Sequence, residues 1–126
     1  MLSGEKNIIK SKRIYLKNFT RKNLIKKYFN WFQDDIHLKY SRHIQNKYTY
    51  SNFLEYYLSM KQEKNLFLAI YKNDNKKFLG TITANIDYAK KSADIGILIG
   101  DKNYLRKSYG TEAWRATMKY LFKNYN

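Results

Sequence analysis

The sequence predicts an α/β (α+β) fold, a mixed but mostly antiparallel sheet with helices on both faces. Three observations predict it. Segments of strand period and helix period alternate along the chain. Three successive strand-type segments, Asn65–Tyr71, Phe78–Asp87 and Ala93–Ile99, are joined only by short polar turns, as antiparallel neighbours allow. The chain then closes on a helix whose full apolar stripe needs a sheet face to cover. With 126 residues the prior is one domain, residues 1–126, able to bury about two-thirds of its unfolded surface.

Taken in order, Lys12–Asn18 reads as a short strand around Ile14 and Leu16. Thr20 offers an N-cap hydroxyl, and Leu24, Ile25, Tyr28, Phe29 and Phe32 recur at helical spacing, with a stop expected near Asp34 and Asp35. Residues 36–48 are polar and aromatic without a clear period, a loop or a short helical turn. Thr49 caps a second helix presenting Phe53, Leu54, Tyr57 and Leu58. Asn65–Tyr71 is a strand of buried type, and residues 72–77 have the composition of a hairpin turn. Phe78–Asp87 alternates Thr81, Thr83 and Asn85 with Ile82, Ala84 and Ile86. A turn at Tyr88–Lys91 leads to the strand Ala93–Ile99. Beyond Gly110, the residues Ala113, Trp114, Thr117, Met118, Leu121, Phe122 and Tyr125 make one apolar stripe, opposite Glu112, Arg115, Lys119 and Lys123. No internal repeat, linker or low-complexity segment interrupts this order.

Composition narrows the function classes. Cysteine is absent, which excludes disulfides, thiolate zinc sites and cysteine nucleophiles. Two histidines make a histidine-rich metal site improbable, and no metal is expected. No apolar run approaches the ~18 residues that span a bilayer, and the polar, basic N-terminus lacks a signal-peptide core, so a soluble cytoplasmic protein is expected, with no membrane partner. The formal charge of +15 makes nucleic acid the first partner to weigh. The basic residues are nevertheless scattered singly or in pairs, with no basic arm. Lys, Asn, Ile and Tyr, all with AT-rich codons, fill nearly half the chain, so compositional drift accounts for the charge and nucleic acid is not the expected partner.

The chemistry is concentrated in Ala93–Ala116, where a buried strand feeds a basic loop and the loop feeds a helix. The backbone N–H groups of Lys107, Ser108, Tyr109, Gly110 and Thr111 would converge on one concavity at the positive end of that helix. Gly110 permits close backbone approach, and Arg106 and Lys107 add charge. In physical terms this is a diphosphate cradle; an ordinary strand–loop–helix connection with basic drift is the competing reading.

The residues Y-L-R-K-S-Y-G-T-E-A (Tyr104–Ala113) resemble the acyl-CoA pyrophosphate loop of the GNAT N-acetyltransferase superfamily, with its pattern [QR]-x-x-G-x-[GA]. A-D-I-G-I-L-I-G-D-K (Ala93–Lys102) is similar to the fourth strand of the branch that contains ribosomal-protein and amino-sugar acetyltransferases, and Y-F-N-W-F-Q-D-D (Tyr28–Asp35) resembles its first helix. The resemblance runs from about Arg13 to the end. Two positions depart from the pattern: Leu105 stands at the Gln/Arg position, and Ser108 replaces the first Gly, where a Cβ would strain a backbone twist suited to glycine.

The resemblance implies an acetyl-CoA-dependent transfer of an acetyl group to a primary amine, an amino sugar or a protein N-terminal amine, with acetyl-CoA as cosubstrate. Its pyrophosphate would lie on Arg106, Lys107, Ser108, Tyr109, Gly110 and Thr111, and the backbone of Ile97, Leu98 and Ile99 would meet its pantetheine arm. Ile97, Leu98 and Ile99 read equally as sheet core. Asp94 has the spacing of the general base of the histone-acetyltransferase branch; it reads also as a strand-end carboxylate bonding the turn at Lys90 and Lys91. Trp31, Tyr40, Arg42 and His43 lie where the family builds its acceptor pocket, with Trp31 read also as a packing residue and His43 as a surface one. Family members continue past the third helix with three more strands and another helix, so the resemblance implies the N-terminal part of the fold, C-terminally truncated or completed by another chain. A non-catalytic acyl-CoA-binding remnant is the alternative. The open edge of Ala93–Ile99 would then favour a homodimer or a second polypeptide.

Overall fold

The computed structural model describes residues 8–32 and 49–125. Five strands, β1 (Ile9–Lys10), β2 (Ile14–Asn18), β3 (Leu66–Lys72), β4 (Phe78–Asp87) and β5 (Ser92–Ile99), form one sheet in the order β1-β2-β3-β4-β5. Among the described residues every pairing is antiparallel. Among the described residues three α-helices cover it: α1 (Lys26–Trp31), α2 (Tyr50–Gln62) and α3 (Tyr109–Tyr125).

Because side chains alternate across a strand, each strand feeds two cores. Ile14, Leu16, Leu66, Leu68, Ile70, Ile82 and Ala84 pack beneath α3, whose Ala113 and Leu121 close that layer. Phe67 and Ala69, with Phe78 from β4, face the other way and meet Phe19, Tyr28, Phe53, Tyr57 and Met60 beneath α1 and α2. This second core is aromatic: Phe19 stacks on Phe67 with ring centroids 4.2 Å apart, and Tyr28 contacts Phe53 edge-on at 5.3 Å. Helices therefore lie on both faces, as the alternation of apolar periods predicts.

Four details differ from the sequence reading. The helix after Thr20 is broken. Thr20 and Asn23 close a capping box around a 3-10 turn, Arg21–Asn23, and the Asn23 amide also donates to the Tyr71 hydroxyl at 2.7 Å. That anchor holds Ile25 in extended backbone, so α1 starts only at Lys26 and Ile25 is exposed. In α2, Met60 is buried where Leu58 was expected. In α3 the stripe is wider than the face that is covered: Ala113, Thr117 and Leu121 are buried, but Trp114 is 43% and Phe122 63% exposed. Finally, Ile9–Lys10 adds a short strand that too few residues announce. The expected stop at Asp34 and Asp35 and the side chain of Tyr125 lie outside the described residues.

Candidate active site

β5 is the edge strand of the sheet, so the backbone groups on its side away from β4 have no strand opposite them among the described residues. Its alternation directs Ile97 and Ile99 to the α3 face and Leu98, Gly96 and Asp94 to the α1/α2 face. The edge is thus a seam between two features, one on each face.

On the α3 face lies the basic loop. Gly100 donates its N–H to the Leu79 carbonyl at 2.9 Å, Asp101 caps a 3-10 turn at Lys102–Tyr104, and α3 begins at Tyr109. Arg106 (φ 60°) and Ser108 (φ 65°) are left-handed, and Lys107 between them is not. Residues that alternate in hand in this way turn successive N–H groups inward into an anion-binding nest. The nest passes directly into the first turn of α3, where the N–H groups of Tyr109, Gly110 and Thr111 have no intrahelical carbonyl. Ser108 therefore occupies the twisted conformation for which the family pattern has glycine. Gly110 has another role: an added Cβ would lie 3.5 Å from Ile97 Cγ2 and 3.7 Å from Ile99 Cγ1, so its missing side chain leaves room over β5.

The loop is stiffened from both sides. Tyr104 and Tyr109 meet edge-to-face at 5.5 Å, and the Lys77 and Lys107 ammonium groups stand 5.4 and 6.0 Å from the Tyr104 ring. Lys77 also pairs with Asp101 at 3.3 Å. From β2, Arg13 reaches the loop through its guanidinium and pairs with Glu112 in the first turn of α3 at 2.6 Å. Burial pushes the Glu112 carboxyl up, but hydrogen bonds from the Arg13 N–H, the Ser11 side chain and the Arg13 side chain outweigh it and hold the carboxyl below the usual range. Tyr104 and Arg13 were not legible as site residues; for Arg13, nothing in the spacing announces contacts made across the whole chain.

On the other face, a cavity of about 420 Å³ is lined by Tyr28, Phe32, Phe53, Tyr56 and Phe67 from the aromatic layer and by Thr81, Thr83, Gly96 and Leu98 from β4 and β5. A Cβ at Gly96 would come within 2.9 Å of Thr83 Oγ1, so glycine keeps this wall open. Burial raises the pKa of the Tyr28 hydroxyl, which stays protonated and able to donate. Asp94 is exposed, opposite Asn85, one same-face position beyond Gly96. Asn85 accepts from Asn65, which also reaches Glu63.

The structure brings Ile97 and Ile99 together with Gly110 of the loop, and places Leu98 and Asp94 on the opposite face of β5, Asp94 beside Asn85 and away from Arg106–Thr111. Trp31 is placed otherwise. Its ring covers Gly100, where a Cβ would fall 1.9 Å from Trp31 Cδ2, and it lies 4.9 Å from the Phe78 ring and edge-on to Tyr28 at 6.0 Å, behind the cavity lining rather than in it. It packs the start of the basic loop against α1. Tyr40, Arg42 and His43 lie outside the described residues.

An edge strand, a nest and a helix N-terminus in this order make an anion-binding seam, and comparison with known proteins gives its class. The model of the acetyltransferase (GNAT) domain matches residues 13–126, and the chain belongs to that family. The fold is that of solved GNAT structures. An acetyltransferase of the GNAT family from Bacillus anthracis has a TM-score of 0.70 at 22% identity, over 94% of this chain and 68% of that one. A GCN5-related N-acetyltransferase from Brucella melitensis has a TM-score of 0.67 at 18% identity, over 98% of this chain and 58% of that one. Comparison with curated proteins gave no match. Among the described residues no helix is long and apolar enough to cross a membrane, and no group of three metal-ligating side chains occurs.

Proposed function

We propose that the reaction of this GNAT domain is acetyl-CoA-dependent N-acetyl transfer to a primary amine. The diphosphate of the coenzyme lies in the nest of Arg106–Ser108 and on the N–H groups of Tyr109–Thr111, with Arg106 and Lys107 supplying charge. The pantetheine arm runs along the open edge of β5, hydrogen-bonded to the backbone of Ile97–Ile99, and brings the thioester to the mouth of the aromatic cavity. The amine enters from that cavity on the opposite face. Its attack needs a neutral nitrogen, and Asp94, exposed on the same face of β5 as Gly96 and Leu98, takes the proton directly or through water. An N–H of the β5 edge polarises the thioester carbonyl, which becomes an oxyanion as the C–N bond forms; collapse then breaks the C–S bond, and CoA leaves as the thiol with the proton released by the new amide nitrogen, carried by water. Most of the acceleration then comes from holding both reactants at one seam.

The observation that carries this reading is the alternating hand of Arg106, Lys107 and Ser108 next to an unpaired strand edge. An ordinary strand–helix connection has no need of two left-handed non-glycine residues. The acceptor is a primary amine on a body that fits a mostly apolar, hydroxyl-rimmed cavity; amino sugars, whose ring faces stack on aromatic side chains, suit it better than a protein N-terminus. Calorimetry with CoA and acetyl-CoA tests the coenzyme half: binding at micromolar to submillimolar concentration is expected, and no heat at millimolar concentration overturns it. Acetylation of glucosamine-type amines against N-terminal serine peptides decides the acceptor.

A further inference from the structure

Arg13 sits at the start of β2, far in sequence from the basic loop, yet it makes four contacts there. Its backbone N–H donates to Glu112 Oε2 at 2.8 Å and its Nε to Glu112 Oε1 at 2.6 Å, across 99 residues. Its Nη1 donates to the Lys107 carbonyl at 2.8 Å, across 94 residues. Its guanidinium carbon lies 4.1 Å from the centroid of the Tyr109 ring. The other end of this arrangement is equally fixed. The Asn73 N–H donates to the Arg13 carbonyl at 2.9 Å, and the Asn73 side chain donates to the Ser11 and Lys12 carbonyls at 3.1 and 3.0 Å.

Two consequences follow from elementary stereochemistry and charge. In a trans peptide the carbonyl of one residue and the N–H of the next point in opposite directions. Arg13 draws the Lys107 carbonyl toward β2, and so turns the Ser108 N–H away from β2, into the nest. Glu112, meanwhile, favours the helix N-terminus electrostatically but would repel a diphosphate one turn away. Arg13 cancels that repulsion: its Nε and its own backbone N–H take one carboxylate oxygen each, and the other arm of the guanidinium fork holds the Lys107 carbonyl.

We propose that Arg13 is the positioning residue of the coenzyme site, orienting the Ser108 N–H and neutralising Glu112 so that the first turn of α3 accepts a diphosphate. This rests on the functional reading above. The test uses CoA and ADP as diphosphate probes in calorimetry, with the Tm of each variant measured in parallel. Arg13→Met should weaken both ligands by about tenfold or more, the effect of one uncompensated charge within a turn of the phosphates. Adding Glu112→Gln to Arg13→Met should recover at least half of that loss on a logarithmic scale, although the packing of Arg13 stays lost. Arg13→Lys keeps the charge but not the fork. It should cost about threefold in affinity and lower the backbone order parameters of Lys107 and Ser108 in the ligand-free chain, measured by nitrogen relaxation. The inference is overturned if Arg13→Met lowers only the Tm and leaves both affinities unchanged, or if the double variant binds no better than the single one. Should Arg13→Met fail to fold, Arg13→Lys decides: wild-type affinity with wild-type order at Ser108 overturns it. A wild-type chain that binds neither CoA nor ADP strikes the functional reading instead, and the order parameters of Arg13→Lys still judge the orientation of the Ser108 N–H.

Discussion

Ser108→Gly separates the two roles a serine can have in the nest. At φ 65° the Ser108 Cβ crowds its own backbone, a cost of about 1–2 kcal/mol for a side-chain-bearing residue. Glycine removes that cost but adds unfolded-chain freedom worth about 0.5–1 kcal/mol. The net expectation is a gain of about 0.5–1 kcal/mol, which for a chain of this size is a Tm rise of about 2–4 °C. Coenzyme affinity tests the hydroxyl. If Ser108 Oγ donates to a phosphate oxygen, a charge-assisted hydrogen bond of about 1.5 kcal/mol is lost and the Kd for CoA rises about tenfold, in Ser108→Gly and Ser108→Ala alike. If only the N–H groups hold the phosphate, Ser108→Ala binds as wild type, and Ser108→Gly binds as well or better. Thermal unfolding by circular dichroism and calorimetry with CoA on the three proteins give the full answer. A Tm that falls by 2 °C or more in Ser108→Gly would refute the strain argument, since the entropy of glycine would then be the whole effect.

Three further perturbations test other parts of the structure. Thr117 is fully buried under α3 and its hydroxyl has no hydrogen-bond partner among the described residues, so Thr117→Val should stabilise the chain by about 1 kcal/mol in urea unfolding; a loss of stability would show that the hydroxyl is satisfied. Gly100→Ala should destabilise by about 1–3 kcal/mol, because its Cβ would fall 1.9 Å from Trp31 Cδ2, and Trp31→Ala in the same chain should recover part of the loss; an unchanged Tm for Gly100→Ala refutes this packing. Glu112 has a folded pKa below its ordinary 4.5, so its contribution to stability is complete above that value and disappears as the pH falls through the lower folded value. Between pH 5 and pH 3, Glu112→Gln should therefore lose less stability than wild type, and parallel pH profiles would contradict the assignment.

How much of this was legible in the sequence differs by element. The strands were legible because apolar alternation and burial share one cause: β4 shows Thr81, Thr83 and Asn85 against Ile82, Ala84 and Ile86, and its two faces divide accordingly. The helix start after the basic loop was legible because a helix N-terminus is a local construction. The break between Asn23 and Lys26 was not, since the decisive bond runs from Asn23 to Tyr71, 48 residues on. Left-handed turns were hidden for another reason. Lys64, Lys76, Lys91, Arg106 and Ser108 have positive φ, positions that glycine or asparagine usually marks, and none of the five is either. The aromatic cavity was invisible because it draws on α1, α2, β3, β4 and β5 together. Of the expected acceptor residues, Trp31 packs against Gly100, and Tyr40, Arg42 and His43 lie outside the described residues.

The order of the sheet has a kinetic consequence. Among the described residues every strand pairs with its neighbour in sequence; β1–β2, β3–β4 and β4–β5 can form as hairpins, each a matter of microseconds, while β2–β3 closes over the helical segment between them. The link from Arg13 to Lys107 and Glu112 is of another kind. It closes a loop of nearly the whole chain, at an entropic cost of about 4 kcal/mol if the intervening residues were still free. Hairpins formed beforehand shorten that loop, so the cradle is completed last on the way to the native state. By the same reasoning it is the first region to open, with the sheet still paired beneath it. A chain caught with β2–β5 formed and α3 undocked would show native strand signals and no coenzyme affinity, and occupancy of the nest would slow the detachment of α3 specifically.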